Sequence, residues 1–323
     1  SFLDILAVGM LNPKTIFFFC YWVYNSPVFG AAVRAVGFYP VSEGIEGGVE
    51  HLRKKVEEGY SLIVFPEGTR SEINQMQRFK KGAFYLAEHF NLDIIPIVIH
   101  GNSEALPKGD FIIYDGPITV NILERIKADD KTFGENYTER SKKITAFFRT
   151  KYQQMREEIE DADYWKKILI NSYDYKEIEI GREVKKDFSK NADLYYRLNK
   201  HIGTTAKILH LANDYGQLDV LLALQQPQRK ILSVITDEEK RSVAETNYVL
   251  QKRKINYAAT VPLENKYDVL LISDQNINLT FEVLNVSETV ILLNNGSLKT
   301  TAQNFGFVVV NEESGLIVLK KQP

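Results

Sequence analysis

The strand-forming residues Leu62 to Phe65 run straight into Pro66-Glu67-Gly68-Thr69-Arg70-Ser71, a turn that carries a carboxylate, hydroxyls and a guanidinium. Proline cannot continue a strand, and glycine permits a tight turn, so the apolar run must stop here. The side chains of Glu67, Thr69, Arg70 and Ser71 would then gather at the C-terminal end of a strand, where open α/β sheets bind ligands. Arg70 is suited to grip a phosphate or carboxylate through two parallel hydrogen bonds. Arg78, Lys80 and Lys81 follow in "RFKKGAF", just ahead of a helix whose N-terminus also favours anions. The chemistry implied is a mouth for an anionic group walled by Glu67, Gly68, Thr69, Arg70, Ser71, Lys80 and Lys81. An ordinary solvated strand-to-helix loop would carry the same composition.

The elements that must position this turn alternate. "IEGGVEHLRKKVEEG" puts Val49, Leu52 and Val56 on one helical face and stops at Gly59; "SLIVF" is a short buried strand; "KGAFYLAEHF" is a helix; "DIIPIVIHG" is a strand. "FIIYDGPITVNI" predicts a hairpin around Asp115-Gly116, and 137–159 a long amphipathic helix. Residues 158–189 are dense in charge and read as a solvated connector. The rhythm then restarts with strand "KILHL", helix "QLDVLLALQQ", strand "KILSVI", helix "DEEKRSVAETNYVLQKR", and strands "YDVLLISD" and "TVILLNN". "FGFVVVNEESGLIVLKK" closes as an antiparallel strand pair. The fold class expected is α/β in two domains, 1–157 and 190–323, joined by the linker 158–189.

The bulk numbers bound the function. A chain of 323 residues is long enough for two cores, and a net charge of -2 gives no electrostatic footprint for nucleic acid. The single cysteine, Cys20, excludes an internal disulfide and a multi-cysteine metal site; no metal is expected. The apolar window Thr15–Tyr24 is about half the ~20 residues a membrane-spanning helix needs. Its aromatic residues would line an apolar groove, dock on a membrane surface or simply pack a core. The opening "SFLDILAVGM" reads as the inside of an amphipathic helix, so the chain is expected to be an excised piece of a longer protein.

"FPEGTRS" resembles the signature of the lysophospholipid acyltransferases, the 1-acylglycerol-3-phosphate acyltransferase family. "SFLDI" is similar to the tail of that family's Asn-His-x-Ser-x-x-Asp block, "VGFYPV" to its second block and "IIPIVIHG" to its fourth. The resemblance implies direct transfer of an acyl group from acyl-CoA or acyl carrier protein to a lysolipid hydroxyl, at a membrane surface and without a cofactor. A histidine base would be oriented by a carboxylate that fixes its tautomer. Asp4 would be that carboxylate. The histidine would precede Ser1, since His51, His89, His100, His201 and His210 lack the spacing, so this piece is expected to be inactive while its parent is competent. Where the second block commonly ends in Asp-Arg, this chain has Ser42-Glu43, which points to an acceptor lacking a phosphomonoester, while Arg70, Lys80 and Lys81 leave lysophosphatidate open.

Residues 190–323 resemble a class I S-adenosylmethionine-dependent methyltransferase in the order of their elements. The glycine-rich first turn of that family is replaced by "HLANDYG", where only Gly216 is retained and His210, Ala212 and Asp214 fill the other key positions. Ile235 stands where an acid would bind ribose, with Asp237 two residues late; Asp274 ends the fourth strand. Ala212, Asp214, Gly216, Asp237 and Asp274 are thus the candidate S-adenosylmethionine contacts of a degenerate, structural or regulatory module. The alternatives are a methyltransferase acting on a lipid-linked substrate and a non-catalytic lipid-binding scaffold. The fusion is similar to bacterial proteins in which a resistance-nodulation-division exporter precedes both domains, implying the cytoplasmic face of an inner membrane.

Overall fold

The computed structural model describes residues 2–9, 14–19, 39–40, 44–69, 71, 76–106, 116–277 and 279–322. The chain divides into two compact units, Ser1–Glu158 and Ile159–Pro323.

In the first unit, α1 (Phe2–Gly9) leads into β1 (Thr15–Phe19), which pairs in parallel with β2 (Tyr39–Pro40) on one side and β3 (Ser61–Ile63) on the other. Between β2 and β3 runs α2 (Gly44–Glu57), which buries Leu52. Then follow α3 (Gly82–His89), β4 (Ile97–His100), α4 (Asn102–Ala105), β5 (Thr119–Ile122) and α5 (Tyr137–Ile159). The first arm of the expected hairpin around Asp115-Gly116 lies outside the described residues, and its second arm has β4 as an antiparallel neighbour. Residues 119–122 pair with β4, from Ile97 opposite Ile122 to His100 opposite Thr119, while 107–115 lie outside the described residues. Phe79, Phe84, Ile126 and Ile144 form the core on which α3 and α5 pack.

The second unit is built on a seven-stranded sheet: β6 (Lys207–Ala212), β7 (Lys230–Ile235), β8 (Lys254–Ala258), β9 (Val269–Ile272), β10 (Thr289–Leu293), β11 (Phe307–Glu313) and β12 (Leu316–Lys321). The order is β11-β12-β10-β9-β6-β7-β8, with β12 antiparallel to both neighbours. Strands covered on both faces read as unbroken apolar runs, which is why "ILHLA" and "VLLI" were legible. β8, "KINYA", was not foreseen, because Asn256 and the flanking charges break its run.

The segment 158–189 is not a solvated connector. It contributes α6 (Lys166–Asn171) and the start of α7 (Ile178–Lys200), and Trp165, Leu169, Tyr173, Ile180, Val184 and Phe188 are buried in the core of the second unit. Ile180, Val184 and Phe188 recur at four-residue spacing, one narrow stripe among the charged residues of the first half of the helix, and Leu194, Tyr195 and Leu198 continue the buried face. α8 (Gln217–Gln225) follows β6, α9 (Glu238–Glu245) follows β7, and α10 (Phe281–Leu284) and α11 (Leu298–Asn304) follow β9 and β10. The helix expected across 237–253 breaks after Glu245. There Asn247 accepts from Val249 N at 3.0 Å and donates to Ser172 Oγ at 3.0 Å, opening a separate 3-10 turn, Tyr248–Lys252. Among the described residues no helix is long and apolar enough to cross a membrane.

Candidate functional site

The turn after β3 is closed by Gly68 N donating to Phe65 O at 3.0 Å, and Lys80 N donates to Pro66 O at 2.7 Å, tying the turn to the approach of α3. Glu67 points inward and accepts from Gln77 N at 2.6 Å. Burial raises its pKa, while the Gln77 N–H and the Arg149 guanidinium of α5 oppose that rise. Gly68 has φ 70°, and a Cβ there would lie 2.7 Å from Lys80 Nζ, so the lysine side chain lies over the glycine. A side chain at 68 would therefore be strained in backbone and would displace the ammonium. Ser71 Oγ accepts from Gln77 Nε2 at 3.5 Å; Thr69 and Lys81 are exposed. Arg70, Ser42 and Glu43 lie outside the described residues.

Asp4, half-buried on α1, accepts through Oδ1 from Asn102 Nδ2 at the start of α4. The side chain of Asn102 is a partner that the sequence did not announce; its position just after "IIPIVIHG" was the only signal. His100, two residues earlier, is buried and held to a pKa of about 4, first by burial and then by the nearby Arg156 guanidinium. Its Nδ1 lies 3.3 Å from Tyr152 Oη. A neutral imidazole at that position belongs to the packing of β4 against α5. The described geometry thus joins Glu67 and Ser71 through Gln77, stacks Lys80 on Gly68, and anchors Asp4 separately on Asn102.

In the second unit the five candidate residues are each engaged by the chain itself. Ala212 ends β6 in the interior. Asp214 Oδ1 accepts from Gly216 N at 2.8 Å, and Gly216, with φ 79°, has Tyr257 Oη 2.4 Å from where a Cβ would stand. Asp237 caps α9 by accepting from Lys240 N at 3.0 Å. Lys240 Nζ reaches back to Asn213 O at 2.9 Å, and Arg241 Nη1 donates to Ile235 O at 2.8 Å, at the end of β7. Asp274 Oδ1 accepts from Asn276 N at 2.9 Å, and its carbonyl accepts from Asn295 Nδ2 at 2.9 Å. The three aspartate side chains therefore cap and brace loops.

Beneath that turn lies a polar group the sequence did not resolve. His210 Nδ1 is 2.7 Å from Asp219 Oδ1 and its Nε2 is 2.8 Å from Ser273 Oγ, with His210 and Asp219 fully buried. Burial pushes the imidazole pKa down, but the Asp219 carboxylate outweighs it and the net direction is up. The signal was a lone histidine in an apolar strand and a lone aspartate in the apolar helix "QLDVLLALQ".

Asp214, beside this group, is pushed up to about 6 from an ordinary 3.8, chiefly by burial, with Asp219 and Asp187 adding to the rise and His210 opposing it. Folding therefore favours its protonated form, and the associated stability is lost as pH climbs from 4 through 6. Asp214→Asn keeps an acceptor for Gly216 N and removes the charge. We expect it to stabilise the second unit at pH 8 by about 1–2 kcal/mol, below the ~3 kcal/mol ceiling because Asp214 is only half-buried, and to confer nothing at pH 4. Urea unfolding at the two pH values checks this, and an equal effect at both would contradict it.

Residues 1–100 match the sequence model of the Acyltransferase family. A 1-acyl-sn-glycerol-3-phosphate acyltransferase of Limnanthes douglasii is 34% identical over 133 residues, covering 36% of this chain and 47% of that protein. The chain spans about half the length of this curated relative. Among solved structures, the 1-acyl-sn-glycerophosphate acyltransferase of Thermotoga maritima aligns with 48% of this chain and 63% of its own, at 19% identity and a TM-score of 0.40. A putative RNA methyltransferase from Pyrococcus horikoshii aligns with 42% of this chain and 85% of its own, at 15% identity and a TM-score of 0.33. The likeness to the Acyltransferase family thus lies in the N-terminal part of this chain, residues 1–100.

Proposed function

We propose that the first unit transfers a fatty acyl group from an acyl thioester, acyl-CoA or acyl carrier protein, to the free hydroxyl of a lysolipid at a membrane surface. The observation that carries this reading is the 65–68 turn itself. It holds Glu67 fixed on Gln77 N with the Lys80 ammonium over Gly68, inside a segment of acyltransferase-family sequence. Asp4 would orient a histidine supplied from upstream. That histidine takes the proton of the acceptor hydroxyl as its oxygen attacks the thioester carbonyl. Collapse of the tetrahedral species breaks the carbon–sulfur bond, the new ester remains on the lipid, and the proton passes to the departing thiolate. Glu67, Gly68, Thr69, Arg70, Ser71, Lys80 and Lys81 would hold the acceptor, with Lys80, Lys81 and Arg149 supplying positive charge beside the Glu67 turn. That charge, and the acceptor named for the Limnanthes relative, favour lysophosphatidate as the first acceptor to try.

For the second unit we infer that S-adenosylmethionine is not held in the usual way. Tyr257 covers Gly216 where the backbone would have to meet the cofactor, and Arg241 covers the carbonyl of Ile235 where an acid would be needed for ribose. No methyl-transfer step is assigned to it, and the unit is read as structural or regulatory.

The acceptor is tested with a chain extended upstream through the histidine, a labelled acyl thioester, and lysophosphatidate set against neutral and zwitterionic lysolipids. Product is expected, and Glu67→Ala should lower its rate about 100-fold through misplacement of the acceptor. A Glu67→Ala protein as fast as its parent would remove the turn from the site.

A further inference from the structure

The second unit leaves part of one sheet face open. The chain passes from β8 to β9 through residues 259–268 without a helix, whereas helices follow β6, β7, β9 and β10. On the face that α10 and α11 cover over β9 and β10, Leu232 of β7 stays partly exposed and Asn256 of β8 is exposed. Three lysines stand at the rim of this opening. Each begins its strand, and the register sets Lys207 opposite Lys230 and Lys230 opposite Lys254. All three are exposed, and none joins an ion pair among the described residues. Like charges directly opposite one another weaken a sheet. The fold keeps three in a row, above a shallow cleft floored by Leu232 and Tyr267, with Asn256 beside them.

We propose that this lysine-rimmed cleft is a docking surface for a bilayer containing anionic phospholipid. The three ammonium groups meet lipid phosphates, the lysine stems lie along the apolar floor, and Tyr267 sits at headgroup depth, where an amphipathic ring is favoured. The apolar floor under a cationic rim matches an amphiphile better than a nucleic acid backbone, which would need a broader basic field than a chain of net charge -2 offers. The inference concerns a surface apart from the acyl-transfer turn and stands whether or not that reaction is confirmed.

The test is sedimentation of the 323-residue chain with vesicles of phosphatidylcholine alone and of phosphatidylcholine mixed with phosphatidylglycerol, at low and high salt. Binding is expected only to the mixed vesicles and should weaken with salt. Lys207→Gln, Lys230→Gln and Lys254→Gln combined should lower partitioning about 100-fold, from about 1 kcal/mol per lysine near an anionic surface. Removing the same charge from α7, with Lys185→Gln, Lys186→Gln and Lys190→Gln, should cost far less. Relief of the lysine row should leave the melting temperature of the first triple variant unchanged or raised, so a loss of binding is not a loss of fold. Equal loss in both triple variants, undiminished binding in the first, or binding to uncharged vesicles would overturn the proposal. So would binding to single-stranded RNA, lost in the first triple variant, with none to vesicles.

Discussion

Replacing Arg229 with methionine should lower the stability of residues 159–323 by about 2–4 kcal/mol, the cost of leaving buried carbonyls without their charged donor. The guanidinium is 1% exposed and donates to Gly203 O at 3.1 Å, Leu222 O at 3.2 Å, Asn199 O at 3.1 Å and Ile202 O at 2.6 Å. The last carbonyls of a helix have no partner within it, and the helix dipole adds negative character there. Arg229 meets that need for α7 from the start of β7 and so fixes the helix against the sheet. Methionine fills the space of the stem and takes the donor from the Asn199 and Ile202 carbonyls, while Gly203 O and Leu222 O keep Ala206 N and Gln226 N. Arg229→Lys should recover only part of the loss, because one ammonium cannot reach the spread that the planar fork covers. Urea unfolding followed by far-ultraviolet circular dichroism measures both variants, and a loss below about 1 kcal/mol for methionine would mean that water replaces the guanidinium.

The largest effect on activity is expected at Asp4. In a chain extended upstream through the histidine, Asp4→Asn should reduce kcat by about 100- to 10,000-fold, the range ascribed to positioned acid–base catalysis, with little change in KM. The asparagine is nearly isosteric and can still meet the Asn102 amide, so the contact between α1 and α4 survives while the charge that stabilises an imidazolium is gone. Asn102→Ala should cost only about tenfold, since it acts on the carboxylate's placement alone. A steady-state rate for Asp4→Asn within threefold of its parent would detach Asp4 from the chemistry.

The sequence announced the elements with one strong period and hid those with mixed signals. β6, β7, β9 and β10 are apolar runs bounded by turn residues, and α5 carries a continuous amphipathic pattern, so both kinds were visible from composition alone. The stripe Ile180, Val184 and Phe188 was masked by charged neighbours, which turned a core helix into an apparent linker. β8 was masked by its own edge position, where Asn256 faces out. At the first site, the motif pointed to the Glu67 turn and to Asp4, but their partners Gln77, Asn102 and Arg149 come from distant segments and follow no local rule. In the second unit, "HLANDYG" showed that the turn after β6 lacks the glycines of a glycine-rich loop. What fills it could not be read, because Tyr257, Lys240 and Arg241 reach that turn only through the fold.

The measurement that tests the central claim most directly is transfer of a labelled acyl group from acyl-CoA, or from acyl carrier protein, to lysophosphatidate by the upstream-extended chain, with the lipid product identified by mass spectrometry. The account predicts a doubly acylated lipid whose formation requires both substrates and falls to background with Asp4→Asn. Folded protein that binds the lysolipid yet yields no product with either donor and any acceptor would contradict it and leave the first unit a binding module.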